Sequence, residues 1–273
     1  MAINWIETEI IEHIKWTDTL ASLKFKGAVL PYASGQFTKV GLKIDGELVS
    51  RPYSYVSSPH DDYLEIVYVN VPDGLLTPKL HNLKAGDKLF AMEKSSGFFT
   101  MSEVPDGKNL WMLATGTGLG VFISLLKSSD PWERFNNIVL VHGFRKSNEL
   151  INQDQINEFD KANPGKFKYI KTVTREEADD CLNLRIPAGL ETKKIQQSAN
   201  LEINKDSQIM ICGNPEMLKD TTVELKKIGL KKHRRNSPGH ITPAVSYTHL
   251  RAHEPKAKGV CRLGRVKIEG GGG

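Results

Sequence analysis

The chain has 273 residues, of which 39% are hydrophobic, 25% charged and 8% aromatic. Its length suggests about two domains, and its composition excludes a disordered, collagenous or disulfide-scaffold protein. The formal net charge of +5 says little about the folded part, because residues 243–273 contribute +4 of it and the first 242 residues only +1.

Residues 5–101 predict a small antiparallel β-barrel, since short alternating strands are separated there by Gly, Pro and Asp-Gly turns. Besides the alternating segment that begins at Trp5, strands are expected at residues 20–25, 36–42, 48–58, 64–71 and 87–92. Asp45 and Gly46 predict a two-residue hairpin turn, and residues 76–83 predict one short helix. About six strands are enough to close a small barrel.

Residues 109–242 predict a second domain of α/β type. Continuous apolar strands at 109–115, 137–144, 167–174 and 208–214 alternate with helices at 118–127, 149–161, near 187–197 and at 215–228. Such alternation predicts a parallel sheet covered by helices on both faces. The boundary falls in the polar stretch 102–109, so the two units are expected at 1–103 and 109–242.

The sequence also bears on the compartment and on metal binding. No run of about eighteen apolar residues occurs, and the first residues are acidic and alternating rather than basic and then apolar. Cys181, Cys212 and Cys261 are too few and too far apart for a disulfide framework or a CxxC metal site. We therefore expect a cytoplasmic monomer with no membrane span and no bound metal.

The first candidate site lies at the end of a predicted strand, where residues 51–54 read Arg-Pro-Tyr-Ser. The guanidinium of Arg51 suits a phosphate, the ring of Tyr53 suits stacking on a flat heterocycle, and the hydroxyl of Ser54 suits a ring nitrogen. An ordinary barrel strand would explain the same residues. The following segment 73–78 places Thr77 as a helix cap with Pro78 at the first helical position, and its exposed amides suit an anion.

The second candidate site lies at two strand-to-helix junctions of the α/β domain. Residues 115–120 read Thr-Gly-Thr-Gly-Leu-Gly directly after an apolar strand and before a helix, which favours the pyrophosphate of a dinucleotide. After the next strand stands Arg145 rather than an acidic residue, and this favours a 2′-phosphate, hence NADP over NAD. Cys212 and Gly213 occupy a third strand end, although Cys212 also fits the reading of a small buried apolar residue.

Read together, these motifs resemble the ferredoxin–NADP reductase family, in its bacterial ferredoxin/flavodoxin branch. The similarity runs from about Trp5 to Thr242 and includes the stretches GQFTKVGL, SYVSSP, LWMLATGTG, CGNPEM and PGHIT. The family has an N-terminal antiparallel barrel that carries FAD and a C-terminal NADP-binding domain.

The resemblance implies a role for individual residues. Arg51 would bind the FAD pyrophosphate, Tyr53 would stack on the isoalloxazine, and Ser54 would lie near flavin N5. The remaining FAD contacts would come from Tyr68 and Val69 along the ribityl chain and from the amides of Gly74, Leu75, Leu76 and Thr77 at the phosphates. NADP would contact Thr115, Gly116, Thr117, Gly118, Cys212 and Gly213, with Arg145, Arg175 and Arg185 around its 2′-phosphate.

The activity implied by the resemblance is hydride transfer between NADPH and flavin N5, followed by single-electron transfer to ferredoxin or flavodoxin. Glu216 is the one carboxylate expected near the nicotinamide with a catalytic role. Two alternatives remain open: an NADPH diaphorase with a non-ferredoxin acceptor, and a non-enzymatic nucleic-acid-binding protein that uses the basic residues at 226–235. The second lacks interleaved aromatic residues and any reader motif, so we expect no nucleic-acid partner.

The end of the sequence departs from the family. Relatives stop soon after the PGHIT position, often with aromatic residues that cover part of the flavin, whereas this chain continues to Gly273. The stretch from about Pro243 is basic, weakly periodic and ends in a Gly run, and it resembles translated sequencing-adapter sequence more than a domain. We therefore expect residues 243–273 to be non-native or disordered, which would affect FAD affinity and nicotinamide access.

Overall fold

Two six-stranded sheets, one antiparallel and one parallel, form the fold in a computed structural model that describes residues 3–244. The antiparallel sheet comprises β1 (Trp5–Lys15), β2 (Leu20–Lys26), β3 (Phe37–Ile44), β4 (Glu47–Ser54), β5 (Leu64–Val69) and β6 (Lys88–Met92). Its strand order is β4-β3-β6-β1-β2-β5. The sheet curls until its edges meet at an antiparallel bridge between Tyr55 and Ile66. This confirms the antiparallel barrel.

The turns of the barrel follow the local sequence with one exception. Asp45 and Gly46 both have positive φ, at 50° and 86°, as a two-residue hairpin between β3 and β4 requires. The short helix α1 (Thr77–His81) also forms, but the prediction that Thr77 caps it is wrong. Its hydroxyl instead accepts from the Val71 amide at 2.9 Å and donates to the Val71 carbonyl at 3.3 Å. Thr77 therefore closes the loop before the helix.

The parallel sheet comprises β7 (Asn109–Thr115), β8 (Asn137–Phe144), β9 (Phe167–Val173), β10 (Cys181–Asn183), β11 (Ser207–Cys212) and β12 (Ile241–Pro243). Its order is β10-β9-β8-β7-β11-β12. The helices are α2 (Leu119–Leu126), α3 (Asp130–Arg134), α4 (Gln153–Ala162), α5 (Ile186–Glu191), α6 (Lys194–Ala199) and α7 (Pro215–Lys227). The predicted helix near 187–197 is in fact two helices, because the chain breaks at Lys193, which has a left-handed φ of 58°.

Helices cover both faces of the parallel sheet, and the barrel packs on one of those sides. One core gathers α2 and α4 residues against the sheet together with Leu20, Val56 and Val67 of the barrel. The other core contains residues of α5, α6 and α7. The contact between domains also includes a hydrogen bond of 2.7 Å from the Ser124 hydroxyl to the Ser57 carbonyl and a 2.7 Å ion pair between Lys127 and Asp61.

The last described residues belong to the parallel sheet. β12 ends at Pro243, and the Ala244 amide donates to the Ile211 carbonyl at 2.7 Å. The segment expected to be non-native from about Pro243 thus begins within the sheet, and its remainder, residues 245–273, lies outside the described residues. Within residues 3–244, no helix has the length and apolarity needed to cross a membrane.

Candidate functional site

The strand order of the parallel sheet creates a switch point between β7 and β11. From β7 the chain moves to one side through β8, β9 and β10, and then returns to place β11 on the other side. Connections leave the carboxyl ends of β7 and β11 in opposite directions, so a crevice opens there, and such crevices are where open α/β sheets bind ligands. The Gly-rich turn after Thr115 and the pair Cys212 and Gly213 both lie at this crevice.

Two glycines let the strand ends approach closely. A Cβ on Gly118 would lie 2.5 Å from the Cys212 carbonyl oxygen, and a Cβ on Gly213 would lie 2.1 Å from Thr115 Oγ1. Gly213 also has a φ of +146°. Gly116 differs, because its φ is +53° but nothing lies within 4 Å of its Cβ position. The crevice is thus lined by backbone at Gly118 and Gly213 and is open at Gly116, which suits the close approach of a pyrophosphate.

Side-chain hydrogen bonds hold the two junctions together. Thr115 Oγ1 accepts from the Asn214 amide at 3.0 Å, and Asn214 Oδ1 accepts from the Glu216 amide at 2.8 Å. Asn214 therefore caps α7, a role that the sequence analysis did not assign. Glu216 is exposed in the first turn of α7. It lies at the same edge of the sheet as Thr115 and the Gly-rich turn.

The thiol of Cys212 lies at the end of β11. Burial raises its pKa to about 12, so the thiol is protonated at neutral pH. Cys212 therefore offers the site a small apolar surface and a carbonyl oxygen rather than a reactive thiolate.

Three arginines follow the neighbouring strand ends. Arg145 and Arg175 come after β8 and β9, the Arg175 amide donates to the Arg145 carbonyl at 3.0 Å, and Arg185 precedes α5. All three are exposed, and within residues 3–244 none forms a salt bridge. Two nearby carboxylates accept hydrogen bonds from other groups. Glu149 accepts from the Arg145 amide at 3.0 Å. Glu176 accepts from the amide and hydroxyl of Ser147, which lowers the Glu176 pKa.

The Arg-Pro-Tyr-Ser segment lies on β4, as predicted. Arg51 is exposed, whereas Tyr53 is 9% exposed and packs edge to face on Tyr68, with ring centroids 6.5 Å apart. Burial raises the pKa of Tyr53, and the neighbouring charge of Arg51 opposes part of that shift. Ser54 is the last residue of the strand and is half-buried. A guanidinium, a ring and a hydroxyl are therefore brought together at one strand end.

Tyr68 and Val69 end β5 beside this segment. The Tyr68 side chain is 1% exposed, and its hydroxyl lies 3.0 Å from His13 Nε2 and 3.4 Å from His81 Nδ1. Val69 is 46% exposed. The ring of Tyr68 is thus committed to the barrel interior, where it supports Tyr53, and only Val69 presents its side chain to solvent.

The loop before α1 presents unpaired amides. The Gly74 amide donates to the Val71 carbonyl at 2.8 Å, whereas the hydrogen bonds within residues 3–244 include none from the amides of Leu75, Leu76 and Thr77. Leu76 is buried and Leu75 is 58% exposed. The loop is therefore anchored by Leu76 and Thr77 with free donors, and such donors suit phosphate oxygens.

The barrel and the Gly-rich turn meet through Val56, which the sequence analysis missed. A Cβ on Gly120 would lie 2.8 Å from Val56 Cγ2. Val56 comes two residues after Ser54, and Gly120 comes two residues after Gly118, so the end of β4 lies next to the start of α2. Nothing in the local sequence signals this contact, because Val56 reads as one apolar residue among many.

The donor set suits nucleotides rather than metals. Among the residues that the structure describes, no group of three or more His, Cys, Asp or Glu side chains is arranged to hold a metal ion. Free amides, an exposed guanidinium and a largely buried phenol beside a backbone-lined crevice instead match two phosphate-containing ligands with flat rings.

Comparisons with known proteins agree with this geometry. Two family models match, the oxidoreductase FAD-binding domain over residues 9–99 and the oxidoreductase NAD-binding domain over residues 112–222. The chain is 44% identical over 219 residues to a flavodoxin/ferredoxin–NADP reductase of Shigella flexneri, covering 80% of this chain and 88% of that protein. It is 38% identical to a ferredoxin–NADP reductase of Azotobacter vinelandii, covering 82% of this chain and 90% of that protein.

Solved structures show the same architecture. A ferredoxin NADP+ reductase from Neisseria gonorrhoeae with bound FAD and NADP superposes with a TM-score of 0.83 at 30% identity, covering 88% of this chain and 97% of that one. The cytochrome b5 reductase domain of Ulva prolifera nitrate reductase shares the fold, with a TM-score of 0.66 at 17% identity over 88% and 97% of the two chains. On this evidence the chain belongs to the flavodoxin/ferredoxin–NADP reductase family.

Proposed function

We propose that the chain is an FAD-dependent oxidoreductase that exchanges electrons between NADPH and ferredoxin or flavodoxin. The observation that carries this proposal is the contact of Val56 with the Gly120 backbone. It places the end of β4, with Tyr53 and Ser54, next to the Gly-rich turn after Thr115. A flavin held by the first and a nicotinamide held by the second would therefore be neighbours, as direct hydride transfer requires.

FAD is proposed to bind along the barrel, within residues 1–103. Exposed Arg51 and the free amides of Leu75, Leu76 and Thr77 meet its phosphates, with Gly74 at the start of the loop. Tyr53 contacts the flavin ring from a position that Tyr68 supports, and the hydroxyl of Ser54 donates toward the flavin nitrogen. Val69 lines the ribityl chain through its exposed side chain and backbone.

NADP is proposed to bind at the switch point, within residues 109–242. Thr115, Gly116, Thr117 and Gly118 take its pyrophosphate and nicotinamide side, and Cys212 and Gly213 form the opposite wall. The exposed guanidinium groups of Arg145, Arg175 and Arg185 surround the 2′-phosphate, which is the feature that separates NADP from NAD.

The chain's own contribution to the reaction is orientation and exclusion of water. FAD, when bound, accepts a hydride and releases electrons singly, chemistry that no amino-acid side chain supplies. Tyr53 and the crevice walls hold the two rings in contact distance, and Ser54 donates a hydrogen bond beside the reacting nitrogen. Glu216 is a candidate for holding the nicotinamide side, and it is the one carboxylate proposed there. We further propose that the protein acts as a cytoplasmic monomer.

The absorbance spectrum of the purified chain tests the proposal directly. Full-length protein is incubated with FAD, separated from free FAD, and titrated anaerobically with NADPH and, separately, with NADH. A bound flavin spectrum that NADPH bleaches faster than NADH is expected, followed by reoxidation on addition of ferredoxin or flavodoxin. A chain that takes up no FAD, or one that NADH reduces equally well, contradicts the proposal.

A pair of variants tests the nucleotide preference. Removing both guanidinium groups by Arg145→Ala and Arg175→Ala should raise KM for NADPH about 10- to 100-fold, because charge-assisted hydrogen bonds to the 2′-phosphate are lost, and should change KM for NADH by less than about twofold. The matched control is Lys161→Ala with Lys205→Ala. These lysines are exposed and lie near the opposite edge of the sheet, Lys161 in the last turn of α4 and Lys205 just before β11. If the control raises KM for NADPH as much, general electrostatics explains the preference.

A further inference from the structure

His142 is a buried imidazole that the proposed cofactor contacts leave unexplained. It lies on β8 with 0% exposure, on the sheet face that packs against α2 and α4. Its Nδ1 lies 3.2 Å from the Tyr169 hydroxyl, whereas its Nε2 has no regular hydrogen-bond partner within residues 3–244. A buried polar group left without a partner is destabilising, so its presence calls for a reason.

The imidazole lies beneath the Gly-rich turn. In the sheet His142 pairs with Ala114, which is two residues before Gly116. Burial lowers the pKa of His142 to about 4, and a contact with the Gly116 backbone opposes this shift. A backbone group that favours the protonated ring is a hydrogen-bond acceptor, which at Gly116 is the carbonyl. The ring therefore faces a carbonyl with which it does not yet make a regular hydrogen bond.

The neighbouring hydrogen bonds favour one tautomer of the His142 ring. Gln153, the first residue of α4, donates from Nε2 to the Tyr169 hydroxyl oxygen at 3.2 Å. The hydroxyl hydrogen is then free to be donated to Nδ1 of His142. A neutral imidazole that accepts at Nδ1 carries its proton on Nε2. In that tautomer the Nε2–H is a donor without a regular hydrogen-bond partner within residues 3–244.

The Gly116 carbonyl can accept a second hydrogen bond. Its first comes from the Leu119 amide within the turn, and a carbonyl oxygen has a second lone pair. The φ of Gly116 is +53°, and no atom lies within 4 Å of the position of a Cβ there. A further hydrogen bond from His142 would restrict the orientation of this peptide. The amides of the turn would then point into the crevice in a constant direction.

We propose that His142 is a positioning residue for the pyridine nucleotide, donating from Nε2 to the Gly116 carbonyl and holding residues 116–118 in the conformation that receives the nicotinamide side of NADP. The inference rests on the proposed function. Gln153 and Tyr169 extend the support, since they connect the turn through His142 to the start of α4. His142 itself touches no reacting atom.

Calorimetric binding of two probes to the FAD-loaded full chain tests the proposal. NADP+ engages the turn and the arginines, whereas 2′,5′-ADP carries the adenosine 2′-phosphate but no nicotinamide. For His142→Phe, which keeps a ring but no donor, we expect NADP+ affinity to fall about three- to tenfold while 2′,5′-ADP affinity stays within about twofold. His142→Gln, which keeps a donor, should recover part of the NADP+ affinity.

A purely structural role would not change the ratio of the two affinities. Thr221→Val is the matched control, because Thr221 is also 0% exposed and lies on α7 away from Gly116. If His142→Phe fails to fold, Tyr169→Phe carries the comparison, since it removes only the hydroxyl that orients His142. Equal NADP+ affinity in the parent and the variant overturns the inference alone. A parent chain that binds neither probe refutes the proposed function, and the inference with it.

Discussion

Replacing the crevice glycines by alanine separates backbone strain from steric clash. Gly116 has a positive φ of +53° and open space at its Cβ position. Gly118 has an ordinary helical φ of −62°, but its Cβ would lie 2.5 Å from the Cys212 carbonyl oxygen. Gly213 combines both problems, with a φ of +146° and a Cβ 2.1 Å from Thr115 Oγ1. The three positions form a graded series in one crevice.

The expected losses in free energy of unfolding follow from these geometries. Gly116→Ala should cost about 1 kcal/mol, the usual penalty for an alanine in the left-handed region. Gly118→Ala should cost about 2 kcal/mol, because the clash is with backbone that cannot rotate away. Gly213→Ala should cost about 4 kcal/mol, since strain and clash add. A loss of about 4 kcal/mol is a large fraction of the usual stability of a domain.

Urea unfolding followed by tryptophan fluorescence measures the series, with saturating FAD in every sample. Trp111 is a suitable reporter, because it is fully buried in β7, four residues before Thr115 at the crevice. The reasoning is refuted if Gly213→Ala is no less stable than Gly116→Ala, because the close approach of the two strand ends would then not constrain the fold. NADPH binding by Gly116→Ala should be retained better than by Gly118→Ala, whose added methyl pushes the walls apart.

Two further predictions concern titrating groups. Burial lowers the pKa of His142 to about 4, below the ordinary value of about 6.5. Below about pH 6.5 the unfolded chain therefore binds a proton that the folded chain does not, and the free energy of unfolding should fall by about 3 kcal/mol down to about pH 4. His142→Phe should lose this part of the slope in pH-dependent urea unfolding, and an unchanged slope contradicts the assignment. The thiol of Cys212, whose pKa burial raises to about 12, should be only about one ten-thousandth thiolate at pH 8. Mass-spectrometric mapping of iodoacetamide alkylation should therefore find Cys212 far slower in the folded chain than in urea, and equal rates would show that the thiol is not buried.

The periodicity of apolar residues predicted most elements of both domains. β7 and β8 have the bounds expected at 109–115 and 137–144, because an apolar run buried on both faces has a clear beginning and end. The break at Lys193 and the short strands β10 and β12 were missed. Three-residue strands carry too little pattern to detect, and a left-handed residue other than glycine leaves no signature in composition.

The motifs predicted the two strand-to-helix junctions better than the contacts within them. Two motifs each indicate a strand-to-helix junction: the Gly-rich turn after Thr115 and the residues after Cys212. Both follow parallel strands, so their carboxyl ends lie at the same edge of the sheet. The predicted hydrogen bond of Thr77 was wrong. A threonine before Pro78 can either cap the helix or bond the preceding loop, and the sequence is the same in both cases; here the hydroxyl bonds the backbone of Val71.

The sequence by itself determined the two-domain architecture, the positions of the Gly-rich turn and of the residues after Cys212, and the presence of Arg145 and Arg175 after neighbouring strands, since each depends on residues close together in the chain. Only the tertiary structure decided that Val56 meets Gly120, that Gly118 and Gly213 leave room for no side chain, and that His142 faces Gly116. These contacts join residues from different strands, and their distances depend on how the strands and domains pack. Local sequence patterns do not predict that packing, because a single valine or histidine has the same sequence context whether it contacts the Gly-rich turn or the rest of the core.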